Sequence, residues 1–295
     1  RAAYNIYNVS SKFPQQNADY HPQNKAEMDS FFGGAGTFRI GGGTWTGPLK
    51  FRGDLPKHHG TYGGTPTRGG EGVAGSRTVS FSGDDSIQIA NHANLQITGD
   101  LTYEMWLRPT DLSVRRNPIN KAYGGEGTIT QETSGKLNFY HGSSGTNATP
   151  YQAFPTSGSL TQGEWNHVVV TREGNTVRWY INGELDSVHT STTPPSASTA
   201  PLIIGSGYTN GYVGGIDEVA VYNRALTAAE IYEHYTLGQD ANPTAYSQAV
   251  QNSMPVGYWR LEETSGTEAT DSSPAAFGKP AGAPADYYSL NITGS

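Results

Sequence analysis

The stretch Glu164-Trp165-Asn166-His167-Val168-Val169-Val170-Thr171 alternates without leaving either side polar. Trp165, His167 and Val169 fall on one face of an extended chain, and Asn166, Val168 and Val170 on the other. Apolar character on both faces predicts a strand inside a packed sheet. Residues 177–181 and 185–188 then flank Asn182-Gly183, the strongest short-range hairpin signal. Similar runs recur at 78–81, 86–90, 101–107, 136–140, 202–204 and 216–222, with turn residues between nearly every pair. The pattern predicts an all-β domain of short strands over residues 76–238.

Two places break the period of two. At 225–231, Thr227 can cap a helix and Glu230 can return the bond, with Leu226 and Ile231 packing across the first turn. Residues 243–252 form a second short helix, with Tyr246 and Val250 one turn apart. Composition fits many strands joined by polar turns: 295 residues hold 38 Gly, 17 Pro and only 15% charged side chains. The net charge of −7 gives no attraction for a polyanion, which argues against a nucleic-acid partner. No stretch approaches the roughly 20 apolar residues of a membrane span. The chain contains no cysteine, so disulfides and thiolate metal sites are excluded. It opens on Arg1 without a charged-then-apolar leader, and we expect a processed or excised exported protein of bacterial or archaeal type, extracellular or on the cell surface.

The hairpin at Asn182-Gly183, the stretch Gly215-Ile216-Asp217-Glu218-Val219-Ala220-Val221-Tyr222-Asn223-Arg224 and the capped helix after it resemble the laminin-G-like (concanavalin A-like) jelly-roll family. Residues 79–89 look like the family's strand pair around a Gly-Asp turn, and residues 101–109 like its next strand. The resemblance covers about residues 76–238 and implies a concanavalin A-like β-sandwich. It also implies a protein that binds or assembles rather than one that catalyses. Residues 1–75 are expected to be a polar, Gly-rich extension, and residues 239–295 a linker helix followed by a further strand.

That further strand is out of order. Residues 255–273, beginning Pro255-Val256-Gly257-Tyr258-Trp259-Arg260-Leu261-Glu262-Glu263, resemble the strand that opens a laminin-G-like domain. Either the chain is cut inside a second repeat, or this segment completes a sandwich, its own or a neighbour's. Phe38-Arg39-Ile40 is a weaker candidate for the same strand, and residues 57–62 resemble the turn that follows it. Exchange between copies would supply main-chain hydrogen bonds and side-chain pockets, and head-to-tail contacts would propagate a filament. The residues expected to carry such assembly are Tyr4, Ile6 and Tyr7 at one end and Tyr258, Trp259, Leu261, Tyr288 and Leu290 at the other.

Glucanases related to this family place carboxylates at Glu-x-Asp-x-x-Glu, so that one strand face presents acid and nucleophile about 5 Å apart. That spacing is missing, and Glu104, Glu164 and Glu218 each stand alone in their strands. No enzymatic activity is expected. The resemblance implies a hard cation bridging the last and first strands. Asp217 occupies the ligand's place, and Gly83, Glu262 or Glu263 could complete a calcium site. Glycan binding would use loop tyrosines as stacking faces, with Tyr140, Tyr151, Tyr208 and Tyr212 as candidates for holding a polysaccharide. Arg52-Gly53-Asp54 and the glycosylation acceptors at Asn8, Asn147 and Asn291 carry little weight. The sequence therefore predicts a non-enzymatic extracellular subunit that assembles with other copies by strand exchange, with a carbohydrate-binding module as the alternative.

Overall fold

A computed structural model describes residues 57–274 in full, together with the backbone of β1 (Gly36–Ile40) and β2 (Gly43–Gly47). Those two strands pair antiparallel and belong to a unit separate from the sandwich. Phe38-Arg39-Ile40 is thus half of its own hairpin and not an opening strand of the jelly roll. Tyr4, Ile6, Tyr7, Tyr288 and Leu290 lie outside the described residues, as do the Arg52-Gly53-Asp54 triplet and the acceptors at Asn8 and Asn291.

The sandwich begins at Lys57, earlier than the sequence pattern places it. Its strands in chain order are β3 (Gly60–Gly63), β4 (Thr67–Glu71), β5 (Arg77–Ser82), β6 (Ser86–Ile89), β7 (Leu101–Pro109) and β8 (Arg116–Ala122). They continue with β9 (Gly127–Gln131), β10 (Leu137–Gly142), β11 (Tyr151–Pro155), β12 (Asn166–Glu173), β13 (Thr176–Ile181) and β14 (Glu184–Thr190). The last are β15 (Leu202–Ile204), β16 (Asn210–Gly211), β17 (Val213–Tyr222), β18 (Gly257–Trp259) and β19 (Glu268–Ala269). One sheet runs β11-β10-β9-β8-β15-β6-β3-β19 with β16 beside β8, and the other runs β14-β13-β12-β7-β17-β5-β4 with β18 beside β17. This is the two-sheet antiparallel jelly roll the sequence predicts.

The two-faced strand at 164–171 explains the layering. Val168 and Val170 point between the sheets, beside Met105, Leu107, Ile129, Phe139 and Trp179. Val169 points outward into a second apolar layer with Trp106, Tyr180, Tyr222 and Tyr246. Helices Ala228–Gln239 and Pro243–Asn252 supply the cover for that outer layer through Ile231, Tyr246 and Val250. The first helix starts with the capping box read from the sequence: Thr227 accepts from Glu230 N, and the Glu230 side chain returns the bond. The Asn182-Gly183 turn takes the two positive φ angles of a tight hairpin, 52° and 79°.

β18 closes the sandwich within the same chain. Val219, Ala220 and Val221 pair antiparallel with Trp259, Tyr258 and Gly257, and both Trp259 and Tyr258 are fully buried. β17 changes partners along its length, with β5 beside residues 213–216 and β18 beside residues 219–221. The switch falls at the bulge of Asp217 and Glu218, where Glu218 adopts a φ of 53°. Residues 57–62 are not a turn: β3 forms the sheet strand between β6 and β19.

Candidate functional site

Three of the four tyrosines named from the sequence converge on a fourth that it did not single out. The outer face of the β8–β11 sheet carries Asn120, Thr128, Tyr140 and Ala153 in one cross-strand row, while Ile129, Phe139 and Phe154 turn inward. Tyr123, at the tight turn between β8 and β9, folds over this row. Its ring centroid lies 4.8 Å from Tyr140, 5.7 Å from Tyr151 and 5.7 Å from Tyr208, and Tyr140 and Tyr151 meet edge to face at 5.7 Å. Tyr123 and Tyr140 are buried, whereas Tyr151 is 38% and Tyr208 70% exposed. The arrangement is a floor of two rings with two more presented to solvent beside it.

The platform is pinned by polar bonds. Asn117 Nδ2 donates to the Tyr123 hydroxyl at 3.1 Å, and Asn147 Oδ1 accepts from Tyr123 N at 3.2 Å. The Arg115 guanidinium lies 5.3 Å from the Tyr140 ring centroid and donates to the Tyr140 hydroxyl and, at 2.9 Å, to Glu132. Glu132 Oε1 also accepts from Thr130 and Asn138. Burial pushes the Tyr123 and Tyr140 phenols above their ordinary value, so both stay neutral.

Tyr212 does not join them. It is fully buried between the sheets, and its hydroxyl has no partner among the described residues. It stands two residues from Asn210, yet on the inward side of the chain. Tyr208 and Tyr212 are four residues apart, so alternation alone would put both on one face. Only the two residues Asn210–Gly211 between them form a strand, and the sequence around 208–212 lacks the apolar partner positions that would separate them.

The residues expected to hold calcium are not brought together. Asp217 Oδ2 accepts from Val73 N at 3.0 Å and Ser76 Oγ at 3.2 Å, and Oδ1 accepts from Glu218 N at 3.1 Å. Gly83 lies beyond the Val213–Ser82 pair whereas Asp217 follows the Ile216–Val79 pair, a separation of roughly 15 Å along the strand. Glu262 pairs with Arg260, and Glu263 accepts from the Tyr62 hydroxyl and from Thr270 N. Among the described residues no group of three or more His, Asp or Glu side chains is arranged to hold a metal. These four residues therefore do not fit a shared cation. Asp217 instead ties the turn before β5 to the bulge of β17, and Glu218 ties the same bulge to Tyr258 and Arg260.

Glu104 has a structural role deep under the helices. Its carboxylate meets His167 Nε2 and His234 Nδ1 at 2.9 Å each and accepts from the Tyr222 hydroxyl at 2.7 Å. All four side chains are shut off from solvent. Burial disfavours the charge, but the His234 charge and the bonds from both histidines outweigh it and hold Glu104 well below the usual carboxylate range. Glu164, by contrast, is exposed.

The two packed antiparallel sheets define a β-sandwich of the jelly-roll class. A family model for the concanavalin A-like lectin/glucanases superfamily matches residues 81–232, and the chain belongs to that family. The match stops before β18, so the strand that closes the sandwich lies outside it. Among solved structures, domain 4 of AbnA, a GH43 extracellular arabinanase from Geobacillus stearothermophilus, in complex with arabinotriose, is similar at 20% identity and a TM-score of 0.50. The likeness covers 61% of this chain and 88% of that one, and it is a likeness of fold. The receptor-binding domain of botulinum neurotoxin mosaic serotype C/D matches at 15% identity and a TM-score of 0.49, over 60% of this chain and 45% of that one. The binding domain of Paraclostridial Mosquitocidal Protein 1 matches at 17% and 0.47, over 59% and 48%.

Proposed function

We propose that the chain is a non-catalytic glycan-binding module of an extracellular or surface protein, holding a sugar chain on the Tyr123–Tyr140–Tyr151–Tyr208 platform. The observation that carries this reading is the pair of exposed rings, Tyr151 and Tyr208, each 5.7 Å from the buried Tyr123. Rings resting against the pinned Tyr123 present flat apolar faces to a pyranose or furanose, and the polar groups around them can orient hydroxyls. The AbnA domain of the same fold was solved with arabinotriose, which supports the choice of sugar as ligand. Glu132, the carboxylate at the platform, is engaged by Arg115, Thr130 and Asn138, which favours a holding role over proton transfer. Titrating labelled protein with arabino-, xylo- and cello-oligosaccharides tests the reading by NMR. It requires shifts centred on Tyr123, Tyr151 and Tyr208 that vanish in the Tyr151→Ala/Tyr208→Ala double variant. Shifts elsewhere, or none with any sugar, overturn it.

A second reading, self-association by strand exchange, is favoured by the chain order of the closing strand. The segment that completes the sandwich comes after the helices, joined through residues 253–256. The same slot could therefore receive that segment from a second copy. Light scattering across a concentration series tests this: growth of oligomers that is abolished by removing residues 255–295 supports exchange, and a constant monomer mass overturns it.

A further inference from the structure

We propose that the tyrosine platform and the polar cleft beside it form one continuous surface for a linear, uncharged polysaccharide, contacting several sugar units at once. The inference rests on the glycan-binding reading and specifies its ligand class.

Continuity comes from the loop that carries Tyr208. The next two residues, Thr209 and Asn210, line a cleft of about 740 Å³ together with Ser206, Asp84, Asp111 and Arg116. Asn117 joins the two halves: its Nδ2 donates to the Tyr123 hydroxyl, and its Oδ1 accepts from Thr209 N at 2.8 Å and Thr209 Oγ1 at 2.7 Å. Asn210 Nδ2 donates to the Arg115 carbonyl at 3.0 Å, so the loop is fastened to the strand start that also positions Arg115 over Tyr140. The cleft alone is the size of a typical small-molecule site. With two stacking rings running off one end, the surface suits a chain that continues past the cleft.

Charge selects the kind of chain. Arg115 is paired with Glu132 at 2.9 Å, and Arg116 is paired with Asp111 while its Nη1 donates to the Gly211 carbonyl at 2.7 Å. Both cations at the surface are therefore already compensated, and Asp84 adds a further carboxylate on the cleft wall. A polyuronate or sulfated chain would bring negative charge to a surface with no unpaired cation among the described residues to receive it. A neutral chain meets hydroxyl, amide and carbonyl partners together with aromatic faces.

Calorimetry with neutral oligosaccharides from disaccharide to hexasaccharide, set against oligogalacturonates of equal length, tests the inference. The hexasaccharide should bind at least about ten-fold more tightly than the disaccharide. Asn210→Ala should lower hexasaccharide affinity several-fold more than disaccharide affinity. Asp111→Asn, which frees the Arg116 charge, should create salt-sensitive oligogalacturonate binding that the unaltered protein lacks. If that variant does not fold, Glu132→Gln frees Arg115 for the same measurement. Length-independent affinity, or oligogalacturonate binding by the unaltered protein at least equal to that of the neutral chain, overturns the inference while leaving the platform in place. Binding of no chain at all overturns the platform and the inference together.

Discussion

The indole nitrogen of Trp259 donates to the backbone carbonyl of His58 at 2.8 Å, joining residues 201 positions apart. Asp271 reinforces the junction, with one carboxylate oxygen accepting from His58 N at 2.7 Å and the other from Tyr258 N at 3.0 Å and Ser273 N at 2.8 Å. Lys57 Nζ reaches the Ser273 carbonyl. The two ends of the sandwich therefore meet at one place. A segment that resembles the family's opening strand closes the fold from the end of the described domain.

Because those ends meet, a permuted chain should fold. A protein that begins at Met254, runs to Ser273, continues through a short Gly/Ser linker into Lys57 and ends at Ser253 keeps every strand pairing of the sandwich. Its melting temperature should stay within a few degrees of that of the unpermuted sandwich. Trp259→Ala in the native order should cost about 3–5 kcal/mol, the range for truncating a fully buried aromatic. Denaturant melts of both variants check the pair of outcomes, and a permutant that does not fold would deny the closure.

Much of this architecture was legible because it depends on local pattern. The Asn182-Gly183 hairpin, the two-faced strand at 164–171 and the Thr227–Glu230 cap each express a short-range rule. What escaped was polar. β8 reads Arg-Asn-Pro-Ile-Asn-Lys-Ala and β9 reads Gly-Thr-Ile-Thr-Gln, with few apolar side chains because their outer face carries the candidate site. β3 and β4 are Gly-rich and polar, so the sequence reads both as part of the polar extension, whereas β3 lies between β6 and β19, a partner from the far end of the domain, and β4 forms a sheet edge beside β5. Tyr123 sits before Gly124-Gly125 and reads as a turn. Its central position is fixed by long-range contacts to Tyr151 and Tyr208, which no local spacing encodes.

Glu104 gives the sandwich a pH response whose sign can be worked out. The Glu104 charge and hydrogen bond raise His234 above its ordinary 6.5 in spite of burial. The stability His234 contributes is present in full below pH 6.5 and is lost as pH rises through the raised folded value. Glu104 is depressed below its ordinary 4.5, so its contribution is present above pH 4.5 and lost as pH falls. Burial lowers His167, which makes the fold weaken as pH falls below 6.5. Glu104→Gln should lower stability by about 3–5 kcal/mol, the penalty for breaking a buried pair, and flatten the alkaline decline. Melting temperatures across a pH series in both proteins provide the check.

Gly238 lies in the last turn of helix Ala228–Gln239, where alanine would ordinarily improve helix propensity by about 1 kcal/mol. A methyl group there would fall 2.2 Å from Cζ2 of the buried Trp106, whose Nε1 is fixed by the Tyr246 hydroxyl at 3.0 Å. Overpacking should win, and Gly238→Ala should destabilise by about 1–3 kcal/mol. A chemical melt that shows stabilisation would mean the helix can shift off the sheet.

The tyrosines separate binding from folding. Tyr151 and Tyr208 are exposed, so Tyr151→Ala or Tyr208→Ala should leave the melting temperature nearly unchanged while lowering affinity for a bound oligosaccharide about ten-fold each, or ~1.4 kcal/mol. Tyr212 should behave in the opposite way. Its hydroxyl is buried without a partner among the described residues, and burial raises its phenol well above the ordinary value. Leaving such a group unsatisfied costs about 1–3 kcal/mol. Tyr212→Phe keeps the ring and removes the unpaired oxygen, so it should raise stability by up to ~1 kcal/mol and leave glycan affinity unchanged. Calorimetric titration and thermal melts on the same three variants check both halves. A loss of affinity in Tyr212→Phe would place the sugar at Tyr212 and away from the Tyr123 platform.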